Sequence, residues 1–595
     1  MAAEEERASS SRSGEKPAVE YTPDGMHDDR SSDHENTFDV DATELPPGYF
    51  TSPFFLGTMT GIGLGLMAGV AGFGFAAPIL MLINNDIGPD KNIAWVALTY
   101  TLTSAVALTI IGRVTDIFGR RWVFVGGAFL GIVGCIVAAT AQSVGALIGG
   151  TTIIGIAAAT QLSYYYVMGE LVPMKYRLHG NAFCYAFTIP GSGLSPAIAR
   201  AFIQNHPNVS WRGCYYVLIG VNTLSFLCWF FFYHPPTFRM KHGENASVMK
   251  YIKNFDYVGT TLYTGGLMIV MMGLNWGGTV YAWKSAYVIG TIVAGFVGLV
   301  LFVLWESFAK LKEPLVPMGL FKNHGWNAAT ILSGLGASVY YALAIVWPNM
   351  IGTMYTDMDP MTSAWYASFV GLFIIIGEIV GGVLGKSIGH LKWQCVVTVL
   401  ISGIFFGCTA TSTPDSFKRT ATFVALGTFA IGWAESLAIT IVTISVWDQT
   451  KLGSASGVAG SIRFFIASIA STIYNVVLNN RLAKTIPARV PSALVEAGLP
   501  SSSVADFMTG LTTGAGFADV KGITDSIIAT GVRAFKEANA EAYRTVFFVS
   551  IAMSGLALIS ALLLPNVDDM LTGKVASTLH KSLKDEKPLK EENAV

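Results

Sequence analysis

Charge is what this chain has least of. Only 13% of its 595 residues are Asp, Glu, Lys or Arg, about half the share of a soluble domain. That deficit excludes a fold with water on every side. The 38 basic residues nearly balance 39 acidic ones, for a formal net charge of -1, so no basic surface for nucleic acid is expected. Cysteine is scarce too. Cys135, Cys184, Cys214, Cys228, Cys395 and Cys408 form no C-x-x-C pair, which argues against a disulfide framework or a zinc site. The nine histidines fall in polar stretches or at the ends of apolar runs. No glycine-rich phosphate loop is visible. Together these gaps leave no metal cluster, no cofactor site and no ATP-binding domain to expect, and hence no enzyme or primary pump. No basic segment followed by a short apolar one opens the chain, so no cleavable leader is expected.

What is present is apolar. Hydrophobic residues make up 52% of the chain, and 63 glycines accompany them. Glycine is costly in soluble helices but common in membrane ones, where it lets backbones approach closely. A membrane-crossing helix needs roughly 20 apolar residues. Fourteen such runs are readable, at 52–82, 93–112, 122–141, 144–168, 180–203, 213–233, 256–276, 285–306, 326–348, 364–385, 393–412, 420–445, 453–478 and 543–565. With the N-terminus placed inside, the short inner loops carry 15 Lys and Arg against 5 in the outer ones. This bias predicts both termini to be cytoplasmic. Asn208-Val209-Ser210 is then an outward glycosylation acceptor, and Asn245-Ala246-Ser247 an inward one that stays unmodified. Residues 1–49 and 566–595 are polar tails, and the composition of the first predicts disorder. The outer loop 479–542 is long. A helical stretch from Ile523 to about Ala542 is predicted to run into the last span, and the loop to cap the pathway or to be disordered in its first half.

One loop carries a pattern. After the second run the chain reads Gly112-Arg113-Val114-Thr115-Asp116-Ile117-Phe118-Gly119-Arg120-Arg121. Gly112 permits helix contact at the membrane edge. Asp116 can accept hydrogen bonds from a neighbouring helix end, and Gly119 permits a tight turn. Arg120 and Arg121 can meet carboxylates and anionic lipid, with Glu170 as the expected partner. Such a cluster makes a latch that holds in one conformation and breaks in another.

This pattern resembles the signature loop of the major facilitator superfamily. The resemblance implies an all-α membrane protein with two six-helix halves, 50–235 and 311–565, and two additional spans within 236–310. Second-half residues 382–390, Gly-Val-Leu-Gly-Lys-Ser-Ile-Gly-His, look like a faint repeat of the loop with Lys386 in place of the Asp. The segments at 85–89, 169–173, 233–237 and 276–278 resemble the fungal trichothecene efflux pump subfamily, which is close to fourteen-span fungal siderophore transporters. Two departures stand out against proton-coupled antiporters. Thr151 replaces an Arg four residues before Gly155. The fifth-span motif keeps Gly191 and Pro196 but has Ser195 for Gly.

Ionisable residues at membrane depth mark function or fixed pairs. Glu378, Glu435 and Arg463 fall there. Either carboxylate is a candidate proton carrier, and a structural pair with Arg463 is the alternative, with Glu435 the stronger carrier candidate. Gln161, Ser163, Tyr164, Tyr165 and Tyr166 form a polar aromatic cluster suited to an oxygen-bearing hydrophobic ligand. Tyr340, Tyr341 and Trp433 are candidates for the facing wall. The expected partners are a small hydrophobic organic substrate, protons and the bilayer, for a monomer in the plasma membrane or alternatively a vacuolar or vesicle membrane. Efflux of a hydrophobic secondary metabolite, toxin or drug is the leading expectation. Ferric siderophore uptake by proton symport and a non-transporting sensor are the alternatives.

Overall fold

The structure is a computed structural model that describes residues 38–41, 45, 47–90, 92–236, 238, 247–278, 280–446, 448–513 and 520–577. Asn245 and Ala246 of the second acceptor tripeptide, and the tails 1–37 and 578–595, lie outside the described residues. Helices dominate. In the first half they are α1 (Pro53–Gly74), α2 (Leu80–Ile87), α3 (Trp95–Phe118), α4 (Arg121–Ala139), α5 (Val144–Gln161), α6 (Tyr164–Leu171), α7 (Arg177–Ala186), α8 (Ser195–Asn205) and α9 (Arg212–Phe232). The connector α10 (Val248–Asn254) leads into α11 (Tyr257–Trp276) and α12 (Ala286–Phe308). The second half comprises α13 (His324–Met354), α14 (Pro360–Ala367), α15 (Phe369–Ile388), α16 (Leu391–Thr409), α17 (Phe417–Ile444), α18 (Leu452–Glu496), α19 (Val504–Thr513) and α20 (Asp525–Leu562).

Thirteen helices among the described residues are long and apolar enough to cross a membrane. The fifth of the fourteen expected runs, 180–203, is broken: α7 and α8 flank a π-helical turn at Ile189–Gly193. The cause is local. Pro190 and Pro196 cannot donate to the helical ladder, and the turn closes through the wide bond from Leu194 N–H to Ile189 O at 2.8 Å. Several spans start on their own side-chain caps. Ser52, Ser143, Ser285 and Asn323 accept from the backbone three residues on, as an N-cap should.

Burial separates the spans. In α13 and α17 the most apolar stretch is 83% buried, and in α12 it is 17%. The central helices are therefore wrapped by protein, while α12 turns Val293, Phe296, Val297 and Leu301 outward. Apolar side chains can stay there only with hydrocarbon as the solvent, and the chain is a multi-pass membrane protein. The additional pair packs on α3 and α18 through α11.

Two expectations for the polar segments need correction. Residues 1–49 are not disordered throughout, because Phe38–Asp41 (β1) pairs antiparallel with Lys574–Ser577 (β2). This ribbon lies on the latch face, where Lys175 N–H donates to Thr572 O at 3.0 Å. Backbone pairing offers hydrogen bonds that composition alone does not reveal. The first half of the loop 479–542 is not disordered either, since α18 continues to Glu496, while the expected helix into the last span is present from Asp525. Val490, Leu494, Phe507 and Ile527 form a small core of their own on the face opposite the latch. Burying that apolar set offsets the chain entropy that disorder would keep. Asn208 is exposed in the turn after α8, on this opposite face.

Candidate functional site

The helix α18 begins without a cap of its own: Lys451 precedes it and offers no side-chain acceptor. Its first N–H groups would be unsatisfied. Asp116, from α3 of the other half, supplies the acceptor. Its carboxylate takes hydrogen bonds from Gly453 N at 3.2 Å, Ser454 N at 2.6 Å and Ser454 Oγ at 2.7 Å. The carboxylate also faces the positive end of the helix dipole. Gly112 makes this reach possible, because a Cβ there would run into Gly453 O and Gly457 Cα. Gly119 turns the chain with φ +90°, which L side chains rarely adopt. Arg120 donates to Asp116 at 3.0 Å, pairs with Glu170 and lies over the Tyr166 ring at 5.3 Å.

Arg121 stands apart from this cluster. It donates to Phe230 O of its own half at 2.9 Å, so it does not bridge the halves. Helical geometry explains the correction: residues 120 and 121 leave a turn on different faces.

Sequence reasoning missed a second clasp on the same face. Arg177, 0% exposed, donates to Thr443 O at 3.1 Å and to Gln449 Oε1 at 2.9 Å. Asn181 donates to Thr440 Oγ1 at 2.8 Å. These bonds hold α7 against the end of α17. Arg113 reaches Glu313 at 2.6 Å, 200 positions away. In sequence Arg177 reads as an ordinary inner-loop charge and Arg113 as one member of the patterned loop, and only their partners mark them out.

Deeper in, Tyr164, Tyr165, Tyr185, Tyr340 and Tyr341 surround a cavity of about 60 Å³ that Glu378, Glu435 and Arg463 also line. Tyr164 donates to Tyr185 at 2.5 Å, Ser192 to Tyr340 at 3.0 Å, and Tyr165 to Ser456 O. Arg463 is bound to Glu435 through Nε at 3.1 Å and through Nη2. No hydrogen bond or ion pair reaches Glu378 among the described residues. Glu435 is therefore the carboxylate that forms the structural pair with Arg463. Protonating Glu435 breaks an ion pair, whereas Glu378 can exchange a proton without that cost.

Gln161 and Trp433 do not line this cavity. Gln161 donates to Asn222 at 2.6 Å inside the first half. Trp433 packs on Gly377 and Gly381 and donates to Gln394 at 3.1 Å. Each polar handle is satisfied away from the centre, as buried polar groups require. Gly191 sits tightly on Met67 and Ala71 of α1, and Pro196 starts α8 beside Ser368. Both belong to the broken span that shapes the wall. Tyr185 was missed because a lone tyrosine in an apolar run is usually packing.

The family model described as "Fungal trichothecene efflux pump (TRI12)" matches residues 21–594. A trichothecene efflux pump of Trichoderma arundinaceum is 28% identical, covering 91% of this chain and 91% of its own. The MFS-type transporter prx5 of Penicillium rubens is 31% identical over 74% of this chain and 80% of its own. Among solved structures, the proton:xylose symporter XylE shares the fold, with a TM-score of 0.56 at 12% identity over 89% of this chain and 98% of its own.

Proposed function

The chain belongs to the fungal trichothecene efflux pump family, within the major facilitator superfamily of transporters, and from that premise we propose that it exports a hydrophobic, oxygen-bearing secondary metabolite by alternating access. The observation that carries this reading is the central cavity. It lies between the halves, mixes tyrosine hydroxyls with aliphatic walls such as Ile374, Ile375 and Val442, and is sealed on the latch face by Asp116 and Arg177. A mostly apolar pocket with a few hydroxyls suits such a compound. Rocking two halves about a fixed central site is how this architecture moves cargo.

Protons are the proposed driving ion, with Glu378 as carrier and Glu435–Arg463 as the fixed pair that keeps the second half's helices in register. The latch face is proposed to be cytoplasmic, following the Lys and Arg bias, with both termini inside and the plasma membrane as the site of action. Asn208 then faces outward.

The test is accumulation in cells lacking endogenous pumps, with a panel of fungal toxins and a labelled ferric siderophore. Expression should lower intracellular toxin. A rise in cell iron would replace export by siderophore uptake, and no change in either would overturn transport. Glu378→Gln should abolish uphill movement while leaving substrate exchange between preloaded vesicles. Unimpaired uphill export by that variant would remove Glu378 as carrier.

A further inference from the structure

The central cavity, at about 60 Å³, has room for a few waters in this conformation and not for an organic compound. A second cavity of about 300 Å³ lies toward the opposite face. Its walls come mostly from the start of α3, the turn joining α11 to α12, and the outer half of α18, with Phe73, Leu80, Tyr341 and Ile345 completing them. Tyr341 borders both cavities, and its ring packs on Phe73 at 5.2 Å and Phe464 at 5.4 Å between centroids. These three aromatic rings form the partition between the two spaces.

The chemistry of the outer walls is two-sided. On α18, Ser468, Ser471, Thr472, Asn475 and Asn479 face the cavity, at helical spacings that make one polar stripe. Opposite stand Trp95 and Trp283. Trp283 is laid inward by its own turn. Gly278 takes φ +74°, and a Cβ on Gly277 or Gly278 would collide with the Trp283 ring. The carboxamides of Asn475 and Asn479 in this stripe carry N–H donors, so a ligand group that meets them is an acceptor such as a carbonyl, ether or epoxide oxygen, while the indole rings cover apolar surface. Apart from Tyr341, no ionisable side chain lines the cavity among the described residues, which favours a neutral ligand over an anionic complex.

We propose that this outer cavity is a second binding site, built with the help of the additional spans, that takes a neutral, largely apolar compound bearing acceptor oxygens after it leaves the centre past Tyr341. The inference rests on the export reading above and adds a relay site to it. The turn between α11 and α12 is then a functional wall, and the extra pair of spans does more than enlarge the bundle.

The test is photolabelling of the full-length protein in nanodiscs with a diazirine-bearing neutral sesquiterpenoid ester, mapped by peptide. Wild type should be labelled at 274–283 and 468–480 as well as at 164–165, and excess unlabelled ester should displace the label. Ser471→Trp fills the space and should remove the outer label while the central label stays, which also shows that the variant folds. Asn475→Leu deletes a carboxamide donor of the stripe at similar volume. It should raise the half-saturating concentration for the outer label about fivefold and leave the central value unchanged. Label confined to 164–165, an outer label indifferent to both substitutions, or one displaced by phospholipid and not by the ester would overturn the relay site and leave export standing. No displaceable label anywhere would overturn both.

Discussion

The two clasps on the latch face do the same job with opposite charges. From the first half, Asp116 caps the start of α18 with a carboxylate. From the same half, Arg177 caps the end of α17 with a guanidinium, on Thr443 O. A helix carries partial positive charge at its start and negative charge at its end, so each clasp matches the dipole end it meets. The chain between those ends, residues 445–451, is thus held from both sides. What differs is legibility. The Asp116 clasp sits in a patterned loop of glycines and arginines. The Arg177 clasp is one buried cation with no pattern around it.

The comparison can be broken first at its backbones. Gly112→Leu would drive a side chain into Gly453 O, and Gly382→Leu would put Cβ 2.7 Å from Leu178 O. Each should prevent closure of the latch face and lower export at least about tenfold, since overpacking costs roughly 1–3 kcal/mol or more. Export near wild type from either variant would show that the halves do not need this approach.

Arg177→Met comes next. It removes two charge-assisted hydrogen bonds, each worth about 1.5–3 kcal/mol. Asp116→Ala removes a cap worth about 0.5–2 kcal/mol and leaves Arg120 with Glu170 alone. Spin labels on the inner ends of α3 and α17, read by pulsed dipolar spectroscopy, should show the closed population falling in both, more for Arg177. The double variant sharpens the point. A coupling energy above about 0.5 kcal/mol would mean that the two caps engage as one unit, and additive losses would mean two separate clasps.

Lys386 sits where the first-half loop has its Asp. It sits in the last turn of its own helix, caps no helix of the first half among the described residues, and lies over the Tyr176 ring at 4.7 Å. Lys386→Met should therefore cost only about 0.5–1 kcal/mol, read as a two- to fivefold drop in export rate. A loss equal to that of Asp116→Ala would restore the symmetry between the two loops.

The smallest effect is expected on the opposite face. There Arg533 holds Asp415 through two bonds of 2.6 Å, and this hydrogen bonding keeps the Asp415 carboxyl below the usual carboxylate range. With the folded value depressed, the contribution to stability is present above the unfolded value near ~3.9 and fades as pH falls through the folded one. Amide exchange in 525–540 should thus be modestly faster with Asp415→Asn at pH 7, and the difference should shrink as pH falls below about 3.9. An effect that grows as pH falls would contradict the sign.

Much of this was legible in advance, and the rest was hidden for particular reasons. Asp116, Gly112, Gly119 and Glu170 are readable because a short loop holds most of them in register. Glu435 and Glu378 are visible as charges in apolar runs, but their different surroundings are not, because Arg463 lies 28 residues from one and 85 from the other and sequence distance does not say which it meets. Gln161 and Trp433 misled because a polar atom in a span needs a partner, and Asn222 and Gln394 provided one away from the cavity. The outer cavity drew no attention because its walls come from several separated segments.

The amino-acid sequence alone determined the solvent of this protein, the approximate number of crossings, the loop that clasps the halves and the family it resembles. These follow from local quantities: hydropathy over about 20 residues, glycine and proline positions, and charge next to apolar runs. Tertiary structure decided which carboxylate is paired, where the fifth span breaks into a wall, which arginine closes the second clasp and where an outer cavity opens. Each of those depends on groups far apart in the chain meeting within about 3 Å, a distance set by packing and invisible to any local window.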